Sequence, residues 1–251
     1  MQNLKLKKGF KLKSYLHKIR SDEYVKILIL RTVGNFLVFS SLFLIAKTFY
    51  LPIKEEIRYF IDGRLKKTYV VVEKKKEAEK KEKEQIIPKN PLARTLKFEQ
   101  VKFLVPEDPN FSIVIPKVGA NARILAGVDP SNETIYLDAL KKGVAHAGGT
   151  AFPGEGGHIF LFAHSTDYFW NVGSYNAVFY LLYKLEKADE VNLFYKGSRY
   201  VYRVIDKTIV DPLQVEYLTR KTNREFLTLQ TCWPPGTTLK RLLVFAVRVA
   251  E

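Results

Sequence analysis

A single cysteine, Cys232, excludes any disulfide within this chain. A domain without disulfides has to be held by its core alone. The length of 251 residues and the 47% apolar content are enough for one such domain plus extra segments. A lone cysteine is either a small buried hydrophobe or a nucleophile, and a nucleophile needs a base nearby. Histidine is scarce as well. Four scattered histidines and one cysteine do not give the ligand spacing of a zinc site. Glu107, Asp108 and Asp129 are acids that could meet a calcium ion, but nothing in the sequence fixes one. The expectation is therefore no metal and no cofactor.

Acidic residues are sparse in the N-terminal third. Residues 1–94 carry 23 Lys/Arg against 10 Asp/Glu, whereas residues 95–251 carry 18 against 16. A nucleic-acid-binding domain concentrates positive charge on its folded part. Here the excess surrounds a hydrophobic segment, so nucleic acid is not an expected partner. Residues 1–26 form a basic segment, followed by the uncharged run Thr32–Ala46. Fifteen residues fall short of the roughly 30 Å of hydrocarbon at about 1.5 Å per residue. Lys47 and Arg31 can snorkel, and apolar residues resume on both sides, so 27–53 is the expected membrane span. The basic flank predicts a cytoplasmic N-terminus and an extracellular remainder, in a single pass. Residues 54–94 are charged, and Glu73–Glu84 (EKKKEAEKKEKE) has i,i+4 pairs but no apolar stripe. The expectation for 54–94 is a stalk without packing of its own.

From residue 95 to 251 the texture changes to short β-rich runs separated by Gly, Pro, Asn and Asp. Examples are Phe111–Ile115, Ile159–Ala163, Glu190–Tyr195 and Leu242–Val249. This pattern predicts an antiparallel barrel or sandwich with short helices over Ser131–Lys142 and Val178–Leu185.

Two stretches carry candidate chemistry. In Leu227–Ala250 (LTLQTCWPPGTTLKRLLVFAVRVA), alternating runs flank a loop rich in Pro and Gly. If the runs pair as a hairpin, Cys232 and Arg241 face each other. A guanidinium there favours thiolate over thiol and can donate to an oxyanion. In Gly143–Thr166 (GVAHAGGTAFPGEGGHIFLFAHST), His158, Phe160, Phe162 and His164 share strand parity. His164 ends the apolar run, which suits a catalytic base at a barrel rim. His158 lies roughly 20 Å away along a straight strand and reads as structural. His146 sits in a Gly-rich loop that could line a substrate groove.

These residues resemble the sortase family. Thr228–Cys232 (TLQTC) is similar to its TLxTC nucleophile motif. Arg241 follows nine residues after the cysteine, and His146–Ser165 resembles the stretch bearing the family's histidine. One departure is His158, which stands where the family often has Asn. The resemblance covers roughly residues 111–250. It implies a mainly β fold: a closed eight-stranded β-barrel preceded by an N-terminal transmembrane helix. It implies catalysis by Cys232, His164 and Arg241, with Thr231 shaping the substrate pocket. The implied substrates are bacterial surface proteins with a C-terminal sorting signal similar to LPXTG. The implied acceptor is an amine, from a peptidoglycan cross-bridge or a pilin lysine. Pilus-type members often carry a lid with a DP-aromatic motif and a second hydrophobic segment. Asp108-Pro109 is followed by Asn110, and no second such segment precedes Glu251, so the anchoring type is expected. The same triad passing its acyl group to water would instead make a membrane-tethered cysteine endopeptidase.

Overall fold

The structure is a computed structural model that describes residues 2–73, 101–165 and 178–249, with side chains from residue 23 onward. The chain divides into two compact units, Met1–Leu51 and Pro52–Glu251. Among the described residues the first is entirely helical. Its helix, α1 (Gln2–Arg64), runs on into the second unit through Pro52. Large apolar side chains stand exposed along it, with Leu30 at 74% and Phe39 at 69%. Glu23–Arg64 is one helix long and apolar enough to cross a bilayer.

The second unit contains two sheets. Strands β1 (Thr68–Val71) and β2 (Val101–Leu104) pair in parallel as a small separate sheet. The remaining strands are β3 (Phe111–Ile115), β4 (Ala120–Val128), β5 (Val144–Ala147), β6 (His158–Phe162), β7 (Glu190–Tyr195), β8 (Ser198–Val210), β9 (Phe226–Trp233) and β10 (Lys240–Arg248). They close into a barrel in the order β10-β8-β7-β3-β4-β5-β6-β9. The barrel is therefore eight-stranded, but it is not wholly antiparallel. The β4–β5 and β6–β9 pairs are parallel. Parallel neighbours need a long crossover, and helix α2 (Glu133–Lys142) supplies it between β4 and β5. Asn132 caps α2 by accepting the Ile135 N–H, with Glu133 in the first turn and Lys141 and Lys142 in the last. That charge order suits the helix dipole.

Alternate residues such as Ile113, Leu161, Leu193, Leu229 and Val244 fill the barrel. Strand β6 (HIFLF) has no polar alternation because both its faces are covered. Ile159 and Leu161 point inward, while Phe160 and Phe162 pack outside against Ala139 and Leu140 of α2. A 3-10 turn over Tyr180–Lys184 closes one end, with Phe179, Leu181, Leu182 and Leu185 inserted into the core. Lys207 Nζ donates to the carbonyls of Tyr183 (2.7 Å) and Leu185 (2.8 Å), holding that plug on β8.

Residues 54–73 differ from the expected stalk. The last turns of α1 dock on the plugged end of the barrel. Arg58 donates to the Val118 carbonyl at 2.8 Å, Tyr59 packs against the core, and Glu56 accepts from the Tyr183 hydroxyl. Tyr69 of β1 donates to Asp62. The charges that suggested solvation are thus spent on partners in the barrel and in β1. The Lys/Glu run beyond Glu73 lies outside the described residues.

Candidate active site

Strands β9 and β10 pair antiparallel, from Lys240↔Trp233 to Val247↔Phe226, and this register sets Arg241 directly opposite Cys232. Leu227 and Leu229 of β9 and Leu242, Val244 and Ala246 of β10 point into the core. Cys232 and Arg241 have the opposite parity, so both belong to the outer face. Strand β6 lies on the other side of β9. Its parallel register runs from His158↔Phe226 to Phe162↔Gln230. The ladder goes on past the strand, because the Ala163 N–H donates to the Gln230 carbonyl at 3.1 Å. Continued two places, it brings His164 level with Cys232. Alternation from Phe160 and Phe162 gives His164 the same outer face. Neighbouring strands lie about 4.8 Å apart. Strands β9 and β10 therefore carry a thiol and a guanidinium side by side at the plugged end of the barrel, and the backbone just past β6 brings the His164 imidazole to the same end. The barrel's outer wall, rather than its mouth, bears the row.

Cys232 is half-buried and free. Burial pushes its thiol above the usual range, and the positive charge of Arg241 pulls against that shift. Arg241 Nη1 donates to the carbonyls of Thr238 (3.1 Å), in the β9–β10 turn, and Lys240 (3.2 Å), the first residue of β10. Nε and Nη2 make no hydrogen bond among the described residues. They remain as donors for a charge developing beside Cys232.

Thr231 points the other way. It is 3% exposed, and its hydroxyl donates to the Ala163 carbonyl at 2.9 Å. It straps the end of β6 to β9 next to His164. His146 is likewise not on a loop. It lies in β5, 1% exposed, with register partner Leu161. Its Nδ1 accepts the Gly127 N–H at 3.3 Å, so Nε2 carries the proton and donates to the Ala151 carbonyl at 3.0 Å. Burial holds its pKa below the ordinary value. A neutral, fully bonded ring enclosed by Phe111 and Phe152 is a core histidine, and the expected substrate contact has no surface on which to occur.

His158 is buried too. Its Nε2 meets the Thr228 hydroxyl at 2.8 Å, and burial followed by the charge of Arg220 lowers its pKa to about 4. The acids considered for calcium accept from backbone N–H groups. Glu107 accepts the Arg123 N–H, Asp108 the Asn110 N–H, and Asp129 the Ser131 N–H and hydroxyl. Among the described residues, no group of three or more His, Cys, Asp or Glu could hold a metal.

Trp233, which follows the cysteine, escaped the sequence reading. Its ring packs on Tyr183 with centroids 5.4 Å apart. A separation of 50 residues leaves no local pattern by which to find that pair.

A closed eight-stranded barrel bears the paired Cys232 and Arg241 on its outer wall. Residues 113–249 match the family model described as Sortase domain, which covers more than half of the chain. The protein belongs to the sortase family. It is 30% identical over 138 residues to Sortase D of Bacillus subtilis (strain 168), a match spanning 54% of this chain and 61% of that protein. The chain thus spans less than two thirds of that relative. Among solved structures, sortase C-1 from Actinomyces oris is 33% identical with a TM-score of 0.48, over 58% of this chain and 76% of that one. Sortase A from Corynebacterium diphtheriae, in a lid mutant, is 28% identical with a TM-score of 0.47, over 57% and 72%.

Proposed function

We propose that the protein is a membrane-anchored cysteine transpeptidase that cleaves an LPXTG-like sorting signal and transfers the acyl group to an amine. The observation that carries this reading is the row of His164, just past β6, with Cys232 and Arg241 on the paired strands β9 and β10. His164 takes the thiol proton, and the Cys232 sulfur attacks the carbonyl of the signal's Thr. The tetrahedral oxyanion is stabilised by Arg241 through the N–H groups that its own turn leaves unused. Imidazolium at His164 gives its proton to the departing Gly amine as the C–N bond breaks, which leaves a thioester on Cys232. An incoming amine loses a proton to His164 and attacks the thioester. The C–S bond breaks, and the product is a new amide. No cofactor enters any step.

The span 27–53 holds the enzyme in the bacterial cell membrane, with the basic N-terminus in the cytoplasm and residues 95–251 outside. Its substrates are surface proteins bearing the signal, and its acceptor is a peptidoglycan cross-bridge amine. One observation supports anchoring over pilin polymerisation. Asp108-Pro109-Asn110 does not approach Cys232. It is bonded to the β7–β8 turn, with Lys196 N–H on the Asn110 carbonyl (2.9 Å) and Gly197 N–H on the Pro109 carbonyl (3.0 Å). That turn lies at the end of the barrel opposite the plug, which supports the anchoring reading.

The experiment is to incubate the full chain in micelles with a library of candidate sorting peptides and read the Cys232 adduct by mass spectrometry. A Gly-peptide amine is then added. The expected result is an acyl adduct at Cys232 and diversion of product from acid to amide. Hydrolysis that is indifferent to amine would make the enzyme an endopeptidase. Amide formation with a pilin lysine alone would make it a pilin polymerase.

A further inference from the structure

The same end of the barrel holds the plug, the reactive row and the docked turns of α1, and one line of contacts joins them. Glu56, on α1, accepts a hydrogen bond from the Tyr183 hydroxyl across 127 residues of sequence. Lys184 pairs with the same carboxylate at 3.3 Å and lies over the rings of Tyr59 and Tyr183. Tyr183 is fixed from its other side by Lys207 on its carbonyl. The Tyr183 ring packs on Trp233, the residue between Cys232 and the turn. That turn supplies the Thr238 carbonyl, and Lys240, paired with Trp233 at the start of β10, supplies the second carbonyl that holds the Arg241 guanidinium. Burial, together with the Glu56 carboxylate, raises the Tyr183 pKa, so the phenol stays protonated and remains a donor.

We propose that the last turns of α1 are a positioning element of the active site: Glu56 sets Tyr183, Tyr183 sets Trp233, and Trp233 sets the turn that aims Arg241 at the carbon attacked by Cys232. This rests on the catalytic reading above. Glu56 and Tyr183 act through Trp233 and do not touch substrate. The helix that anchors the protein thereby also tunes its turnover. A displacement of order 1 Å at a catalytic donor is enough to lower a rate by up to about 100-fold.

The test uses the full chain in micelles, in a Trp170→Phe background that leaves Trp233 as the one tryptophan. Tyr183→Phe keeps the ring and removes the donor. Glu56→Ala removes the acceptor, and Glu56→Gln keeps a neutral one. Three readouts are followed: Trp233 emission, the rate of Cys232 alkylation by iodoacetamide, and kcat and KM for the sorting peptide. Tyr183→Phe and Glu56→Ala are expected to shift the emission and change alkylation about 3-fold. They should also lower kcat about 10-fold with KM nearly unchanged, and the double variant should be no worse than either single. Glu56→Gln should lie close to the unaltered protein. Unchanged emission, alkylation and kcat in both single variants would overturn the proposal. So would losses that track melting temperature and vanish on cooling. If the unaltered chain turns over no peptide, the transpeptidase reading falls, and emission and alkylation still decide the positioning role.

Discussion

Arg241 and Cys232 face each other across the β9–β10 ladder, at its last rung but one before the turn. An antiparallel pair at that point brings two side chains of one face together without any further device. The guanidinium is also tied to its own turn through Nη1, so its direction is set before substrate arrives. A donor oriented in advance stabilises a transition state without reorganising during the reaction.

Replacing Arg241 therefore removes geometry as well as charge. Arg241→Ala is expected to lower kcat about 10²–10³-fold, in line with losing a donor to an oxyanion. Arg241→Lys keeps the charge but lacks the planar fork that bonds Thr238, Lys240 and an oxyanion together. It should recover less than about a tenth of the lost rate. Steady-state kinetics on the sorting peptide decide this, and a fully active Arg241→Lys enzyme would show that charge alone suffices.

Much of this arrangement was legible in the sequence. The hairpin followed from the alternation around WPPGTTLK, and parity alone placed His158, Phe160, Phe162 and His164 on one face. Three features were not legible. Strand β4 (ANARILAGV) mixes Asn, Arg and Gly among its apolar residues, and β5 has only four residues, so neither gives a period. The parallel pairings of β4–β5 and β6–β9 are set by chain topology, which no local pattern encodes. The charged turns after residue 53 looked solvated because their partners are remote, as with Arg58 and the Val118 carbonyl.

Thr231 tests the strap between β9 and β6. Thr231→Val keeps the shape but leaves the Ala163 carbonyl without its hydroxyl partner, at about 1–2 kcal/mol of stability. The end of β6 loosens beside His164, so kcat should fall with KM little changed, and Thr231→Ser should restore both stability and rate. Denaturant unfolding and Michaelis kinetics provide the check. A rise in KM alone would return Thr231 to the substrate pocket.

His158 gives the fold a pH dependence of known sign. Its folded pKa is lowered from 6.5 to about 4 by burial and by Arg220, which lies over the rings of Tyr217, Phe226 and Phe245. A neutral buried base contributes fully above the unfolded value. Below pH 6.5 the unfolded chain takes up a proton that the folded one refuses, so stability drops until the pH reaches about 4. At pH 5 the loss is about 2 kcal/mol. His146, shifted in the same direction, adds to it. His158→Leu should flatten the fall of melting temperature between pH 7 and pH 5. An unchanged slope in that variant would assign the pH dependence to other groups.

The thiol itself provides the last measurement. Burial outweighs the pull of Arg241 and leaves Cys232 above its ordinary pKa, so the thiolate is a minor species at neutral pH. Alkylation by iodoacetamide in the absence of peptide should therefore climb steadily from pH 6 to pH 9 without a plateau. Arg241→Gln removes a charge that holds the value down, so its profile should move further to the alkaline side and its rate at pH 7 should fall about 3-fold or more. His164→Ala separates the two contributions, because a preformed thiolate–imidazolium pair would lose its acidic limb in that variant. A plateau reached below pH 7 in the unaltered protein would mean that the pair exists at rest. Arg241 would then act on the oxyanion alone, with no part in ionising the sulfur.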